Sequence, residues 1–429
     1  MADINKLAQM FKELDDQLVG CMRCGMCQAV CPVFAQSGRE TDVTRGKLAL
    51  LDGLASEMLT DPEGVNEKLN RCLLCGTCQS NCPSGVSVMD IFLKARAIMT
   101  GYFGLSPVKK AIFRGMLKNP KLFNMLTDMG SLFQGLFTKK VDDMLGSSCA
   151  RFNAPVIGDR HFNTLSSKPL HKTFPEMDSA PGKSGLKVAF YVGCVIDKIF
   201  PHVGEAILDV LKYHGVGVYM PKGQACCGIP ALSSGDTETF DTLVDLNMER
   251  FKDGEFDYLV TGCATCTSTI KELWPRMYTG NPALKGDINV LEQKTMDISQ
   301  FLVDILKITP QEITGGKSVT YHDPCHLKNS LGVTAQPRTV IKAAGCDFKE
   351  MAEAGTCCGC GGSFNIAHYD MSKKIGGRKA DNIMASGAQI AATSCPACML
   401  QITDMLSQKE ASMECKHVIE LYADTLRGK

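Results

Sequence analysis

Close to the start of the chain, Ile4, Leu7, Phe11, Leu14 and Leu18 recur every three or four residues among Asp3, Glu13, Asp15 and Asp16. That spacing predicts an amphipathic helix, and the acidic residues exclude a continuous apolar leader. Over 102–140, Val108, Ile112, Phe113, Met116 and Leu117 predict one apolar helix face. After Pro120 the series resumes through Leu122, Met125, Leu126, Met129, Phe133, Leu136 and Phe137. Residues 141–185, rich in Pro, Ser and Gly, predict an irregular crossing segment. From Lys187 onward the pattern changes. KVAFYV and DYLVT are short β-rich runs, and between them Phe240, Leu243, Val244, Met248 and Phe251 mark a helix face. The same order returns in SVTYH, helices around 335–345 and 370–386, and QIAAT. No apolar run reaches the ~18 residues of a membrane-spanning helix.

Composition alters this picture at one point. Hydrophobic residues make up 45% and charged residues 21%, an ordinary globular balance. Lys+Arg and Asp+Glu both total 46, and no basic, aromatic-laced domain appears, so nucleic acid is not an expected partner. The outlier is cysteine, with 22 residues. A disulfide scaffold would be short and secreted, so the expectation is a reducing, cytoplasmic compartment where thiols bind metal.

Numbering the cysteines exposes two duplications. CMRCGMCQAVCP holds Cys21, Cys24, Cys27 and Cys31, and CLLCGTCQSNCP repeats them 51 residues on as Cys72, Cys75, Cys78 and Cys82. Further along, Cys194, Cys226, Cys227, Cys263 and Cys266 recur as Cys325, Cys357, Cys358, Cys395 and Cys398, offset by 131 or 132 residues. The predicted class is α+β overall. A helical, bacterial-type ferredoxin domain for two [4Fe–4S] clusters (1–100) precedes an amphipathic segment and crossing linker (101–185). Two duplicated α/β modules follow, at 186–306 and 316–429.

Both N-terminal runs read C-x2-C-x2-C-x3-C-P, the pattern of two-cluster ferredoxins. Three closely spaced thiolates wrap three corners of a [4Fe–4S] cube. Gly25 and Gly76 let the backbone approach, and Pro32 and Pro83 turn the chain away. In this pattern the fourth cysteine of each run serves the other cluster. Cluster I is therefore assigned to Cys21, Cys24, Cys27 and Cys82, and cluster II to Cys72, Cys75, Cys78 and Cys31. The competing reading, a pair of four-thiolate zinc sites, normally uses two separated C-x2-C knuckles.

RCLLCGTCQSNCPSGV, with TRGKLALL after the first run, resembles the iron–sulfur subunits of bacterial glycolate oxidase and related lactate dehydrogenases. It is also similar to subunits of anaerobic glycerol-3-phosphate dehydrogenase and of heterodisulfide reductase. Each C-terminal copy carries five cysteines, more than one cube needs, with Gly228 or Gly359 directly after the Cys-Cys pair. Their spacing resembles the cysteine-rich "CCG" domain of the same families. That resemblance implies a further [4Fe–4S] cluster, noncubane or cubane, on Cys194, Cys226, Cys227, Cys263 and Cys266. It implies another on Cys325, Cys357, Cys358, Cys395 and Cys398. Cys149, Cys346 and Cys415 fall outside every spacing and read as structural. Cys360 is a candidate spare ligand, and His322 and His326, flanking Cys325, are candidates for tuning a cluster or relaying a proton.

No G-x-G-x-x-G after a strand, G-x4-G-K-[ST] or G-x-S-x-G is present. One-electron clusters do not readily take a hydride from an alcohol, whereas a flavin does and then releases electrons singly. The expectation, which the resemblance shares, is an electron-transfer subunit of a flavin-dependent lactate or glycolate dehydrogenase. FAD would sit on a partner subunit, and a quinone or other carrier would complete the path. Two alternatives stand beside it: a catalytic subunit that makes or breaks a disulfide at a noncubane cluster, and the iron–sulfur subunit of glycerol-3-phosphate dehydrogenase. Segment 102–140 sets seven Lys or Arg against the single Asp128. It is a candidate for peripheral contact with the inner face of the cell membrane, the alternative being packing on the clusters or a partner.

Overall fold

The computed structural model describes residues 4–152, 158–311 and 315–428. Asp3 and the 153–157 portion of the crossing segment lie outside the described residues. The expected N-terminal helix is present but broken into Ile4–Phe11, Lys12–Leu14 and Asp15–Val19. Leu7, Phe11, Leu14 and Leu18 are all buried, against Leu48, Leu51 and Leu54 of helix Thr44–Ala55 and Ile91 and Phe92 of helix Val88–Phe103. These helices form a cradle behind the two cysteine loops.

The segment at 141–185 is more regular than its composition suggests. Strands β1 (Thr138–Asp142), β2 (Ser147–Ala150) and β3 (Phe162–Asn163) form a small antiparallel sheet. It is pinned to the C-terminal module by Ser147 Oγ to Ser407 Oγ at 2.6 Å and by the His161 N–H donating to Asp404 Oδ1 at 2.8 Å. These contacts span more than 200 residues of sequence, so no local pattern announces them.

Each C-terminal module is a parallel α/β sheet. The first contains β4 (Met177–Asp178), β5 (Lys187–Tyr191), β6 (Gly217–Met220), β7 (Tyr258–Thr261) and β8 (Thr295–Asp297), in the order β4-β6-β5-β7-β8. Only β4 runs antiparallel. The second contains β9 (Ser318–His322), β10 (Asp347–Phe348), β11 (Ile390–Thr393) and β12 (Glu414–His417), all parallel, in the order β10-β9-β11-β12. The helices expected around 240–251, 335–345 and 370–386 are Thr237–Phe251, Ala335–Ala343 and Tyr369–Ala385. In both sheets the first long strand has its successors on opposite sides. That reversal opens a crevice at the carboxyl ends of the strands, where α/β sheets bind ligands.

Two buried interfaces hold these parts together. Arg96, 4% exposed, donates to the carbonyls of Leu69, Cys72 and Ser233, tying the second cysteine loop to the first module. Hydrogen bonds from a charged donor contribute roughly 1.5–3 kcal/mol each. Helix Pro201–Tyr213 packs against helix Val418–Arg427, joining the two modules.

The amphipathic segment differs from its predicted face. Phe113 and Leu117 are buried, but Val108 and Ile112 are exposed. Residues 111–117 form a π-helical turn. Its wider i→i+5 winding rotates the apolar residues out of the α-helical phase. Along helix Pro120–Phe137, Leu132 is 76% and Phe133 55% exposed. Among the described residues no helix is long and apolar enough to cross a membrane.

Candidate metal centres

The two N-terminal loops repeat in backbone as well as in sequence. Arg23 and Leu74, each just before the second cysteine of its run, have φ of 55° and 52°. Gly25 and Gly76, just after that cysteine, have φ of 87° and 70°. Two departures from the right-handed region around one cysteine curl each loop tightly. Cys21, Cys24, Cys27 and Cys82 line one cavity, and Cys31, Cys72, Cys75 and Cys78 line a neighbouring one. Cys78 touches both. The first cavity lies nearer the surface, with Cys24 exposed, whereas Cys75 is buried.

In the modules, the duplicated cysteines gather at the carboxyl ends of the parallel strands. Cys194 comes after β5 and Cys263 after β7, while Cys325 comes after β9 and Cys395 after β11. The Cys-Cys pairs sit in the loops beyond β6 and β10. Gly228 and Gly359 follow them at φ of 94° and 91°. A Cβ on Gly359 would stand 2.9 Å from the Ser372 carbonyl, so a side chain is doubly excluded there.

The first set gathers with Cys194 and Cys226 sulfurs 3.8 Å apart, and Cys226–Cys227, Cys227–Cys266 and Cys263–Cys266 in thiol contact. In the second set, Cys358 and Cys398 sulfurs are 3.4 Å apart, with Cys325–Cys357, Cys357–Cys358 and Cys395–Cys398 in contact.

Sequence spacing does not reveal how the sets adjoin. Cys75 hydrogen-bonds with Cys357, inside a small apolar core of Val33, Leu73, Phe364 and Ile375. Cys395 interacts across the modules with Cys263, and Thr265 Oγ1 stands 3.5 Å from the Cys395 sulfur. The second module's cysteines therefore lie between the ferredoxin-like cysteines and those of the first module. His326 seals the junction. Its ring nitrogens lie 3.2 Å from Thr265 Oγ1 and 3.2 Å from the Leu74 carbonyl, which makes it a structural bridge. Asn329 adds a bond to the Cys75 carbonyl at 2.9 Å.

The donor chemistry fits iron–sulfur clusters. No disulfide joins the cysteines of the described residues. Burial pushes the Cys31 thiol up to about 12 and raises Cys78 further, so without metal these sulfurs keep their protons. Bound iron would supply the positive charge that releases them. Buried cations stand ready to offset cluster charge. Lys47, 2% exposed, lines the second ferredoxin-like cavity beside Cys31 and Cys72. Lys379, held down to about 8 by burial, lies near Cys358 and Cys357.

Of the remaining cysteines, Cys360 is half-buried beside Cys358, Cys395 and Cys357, with its thiol raised by desolvation. Cys149 lies in β2, Cys415 in β12, and Cys346 in the turn before β10. His322 ends β9 fully buried, and burial pushes it down to about 3, which keeps the imidazole neutral. Beside the first set lies a cavity lined by Cys194, Cys226, Phe123, Leu170, His171 and Lys198. Lys198 Nζ there donates to Asn124 Oδ1 at 2.7 Å and to Asp197 Oδ2 at 2.5 Å.

Comparison with known proteins agrees with this architecture. A model of the 4Fe-4S dicluster domain matches residues 17–86, and one of the cysteine-rich domain matches 188–271 and 319–403. The probable glycolate oxidase iron-sulfur subunit of Bacillus subtilis is 29% identical over 93% of this chain and 92% of its own. A fumarate reductase (CoM/CoB) subunit of Methanothermobacter marburgensis is 29% identical over 94% of this chain and 72% of its own. Lactate utilization protein A of Oceanobacillus iheyensis is 30% identical, covering 55% of this chain and 96% of its own. A crystal structure of a hypothetical protein from Helicobacter pylori shares the fold, with a TM-score of 0.56, 9% identity, and coverage of 100% of this chain and 78% of that one. Paired ferredoxin-like loops and duplicated strand-end cysteine sets, matched along nearly the whole chain, establish that it belongs to the multi-cluster iron–sulfur subunits of oxidoreductases, which join a 4Fe-4S dicluster domain to two cysteine-rich domains.

Proposed function

We propose that this chain is the electron-carrying subunit of a complex that oxidises a 2-hydroxy acid such as lactate or glycolate. Its electrons would pass between FAD on a partner subunit and a quinone or another carrier. The proposed cluster I ligands are Cys21, Cys24, Cys27 and Cys82, and those of cluster II are Cys72, Cys75, Cys78 and Cys31. Cys194, Cys226, Cys227, Cys263 and Cys266 would hold the first module's cluster. Cys325, Cys357, Cys358, Cys395 and Cys398 would hold the second's, with the noncubane form accommodating five thiolates. Bound clusters supply one-electron carriage.

The observation that carries this reading is the unbroken series of thiols. It runs from the two ferredoxin-like cavities through Cys75 and Cys357 to the second module, and through Cys395 and Cys263 to the first. Such an array suits transport between two separate partners. The first module is one terminus, and the cavity beside Cys194 and Cys226 offers its carrier an apolar wall that includes Phe123 and Leu170. Helix Pro120–Phe137 supplies Phe123 to that cavity and exposes Leu132, Phe133, Leu136 and Phe137. Lys139 and Lys140 follow directly, an arrangement suited to resting on an anionic membrane surface.

Relatives named for glycolate oxidase and lactate utilization support the hydroxy-acid assignment. The test is coexpression with a flavoprotein that oxidises lactate or glycolate. The expected result is a stable complex whose clusters are reduced on adding that acid, read by visible bleaching and EPR. The absence of both complex and reduction would refute the assignment. The relative named as a fumarate reductase (CoM/CoB) subunit, together with the cavity beside Cys194, supports a second reading in which the first module handles a thiol–disulfide pair. Thiol-dependent EPR signals in the isolated chain would select that reading.

A further inference from the structure

The end of β9 holds a group that nothing in the cysteine pattern accounts for. His322 is 0% exposed, and neither Nδ1 nor Nε2 makes a hydrogen bond of good geometry. The backbone group in reach of the ring is the Ala354 carbonyl, which already accepts from the Asp323 N–H at 3.1 Å and from Lys379 Nζ at 3.2 Å. Even with that carbonyl counted, one ring nitrogen is left without a partner, and buried polar side chains almost always have one. A ring nitrogen of His322 and the sulfurs of Cys358 and Cys398 all lie within 4.8 Å of one another. That separation suits three ligands around one metal ion, and neutral imidazole is a common iron ligand.

The first module shows what the same position does when it faces no such demand. Tyr191 ends β5 as His322 ends β9, and each pairs with a threonine on the adjacent strand, Thr261 and Thr393. The Tyr191 hydroxyl donates to the Ala225 carbonyl at 2.6 Å, so that side chain is satisfied within the protein. The two sites are thus not chemically equivalent, although their cysteines repeat.

We propose that His322 is an iron ligand of the second cysteine-rich site, beside Cys358 and Cys398, and that the first site is held by thiolates alone. His322 would then take the place of one of the module's five thiolates, which leaves the centre one negative charge poorer. Histidine ligation raises the potential of Rieske centres over all-cysteine ones. The second site, in the middle of the thiol series, accordingly has a higher reduction potential than the first.

This rests on the reading that the second site holds iron, and the experiment separates the two claims. Holoprotein is prepared with and without 15N-histidine, its iron and acid-labile sulfide are counted, and the reduced clusters are examined by pulsed EPR. With a full iron count, a histidine-nitrogen coupling should change on 15N labelling, persist in His326→Gln and vanish in His322→Gln. A full iron count with no labelled-histidine coupling overturns the ligand assignment, as does a coupling that survives in His322→Gln. An iron count short by the second-site cluster overturns the reading beneath it.

Discussion

A Cys82→Ser variant should lose the cluster of the first cysteine run and keep that of the run to which Cys82 belongs. Cys82 lines the cavity of Cys21, Cys24 and Cys27, whereas Cys31 lines that of Cys72, Cys75 and Cys78. A serine hydroxyl is a harder, weaker ligand for iron than thiolate. With the fourth corner gone, iron and sulfide should fall by the equivalent of one [4Fe–4S] cluster. Cys31→Ser should produce the mirror result. The helix cap survives that change, because a serine oxygen accepts from the Phe34 N–H as the Cys31 sulfur does at 3.5 Å, so the effect reads the lost iron ligand alone. The two variants are told apart by which EPR signal survives, since the cavities differ in exposure and in neighbouring charge. If Cys82→Ser removed the second run's cluster, each run would be self-contained and the crossed assignment wrong.

The second large effect concerns potential. Lys47 is a buried cation at the wall of the second cavity, where its amine also donates to the Asp42 carbonyl. Burial pushes its proton affinity down. Charge on Cys72 and Cys31 works the other way and favours the ammonium form. Lys47→Met keeps the aliphatic stem and removes the charge. One unit charge at roughly 8 Å in an effective dielectric of about 20 is worth about 2 kcal/mol. For a one-electron couple that corresponds to roughly 50–100 mV. Cluster II should therefore become harder to reduce by that amount in an EPR-monitored redox titration. Cluster I, whose cavity Lys47 does not line, should move much less. Equal shifts in both would show a general loosening of the fold in place of a local charge effect.

Much of the fold is legible in the chain. Short apolar runs such as KVAFYV and SVTYH become β5 and β9, because their apolar residues have to be buried on both faces of a parallel sheet. Cysteine spacing locates the strand-end loops in the modules. What the sequence does not disclose is anything carried by long-range contact. Spacing treats the two modules as equivalent copies in series. Cys75 meeting Cys357, and His326 meeting Leu74, instead place the second copy next to the ferredoxin-like loops. The sheet β1–β3 hides behind a loop-like composition because it is held by the side of helix Pro396–Gln408. The face predicted at 108–117 fails because a π-helical turn does not keep the α-helical period. His322 stands out in the sequence only as a neighbour of Cys325, and its poorly satisfied ring emerges once the sheet surrounds it.

The central claim is the spatial order: the two ferredoxin-like clusters, then the second module, then the first. It is tested most directly by pulsed EPR of dipolar coupling between reduced clusters, in the wild-type chain and in variants lacking one module's cluster. Clusters I and II couple to each other in every variant, and the cluster II signal should carry a further coupling that survives Cys227→Ser and is lost in Cys358→Ser. The opposite pattern, with coupling abolished by Cys227→Ser and untouched by Cys358→Ser, would place the first module at the junction and contradict that order.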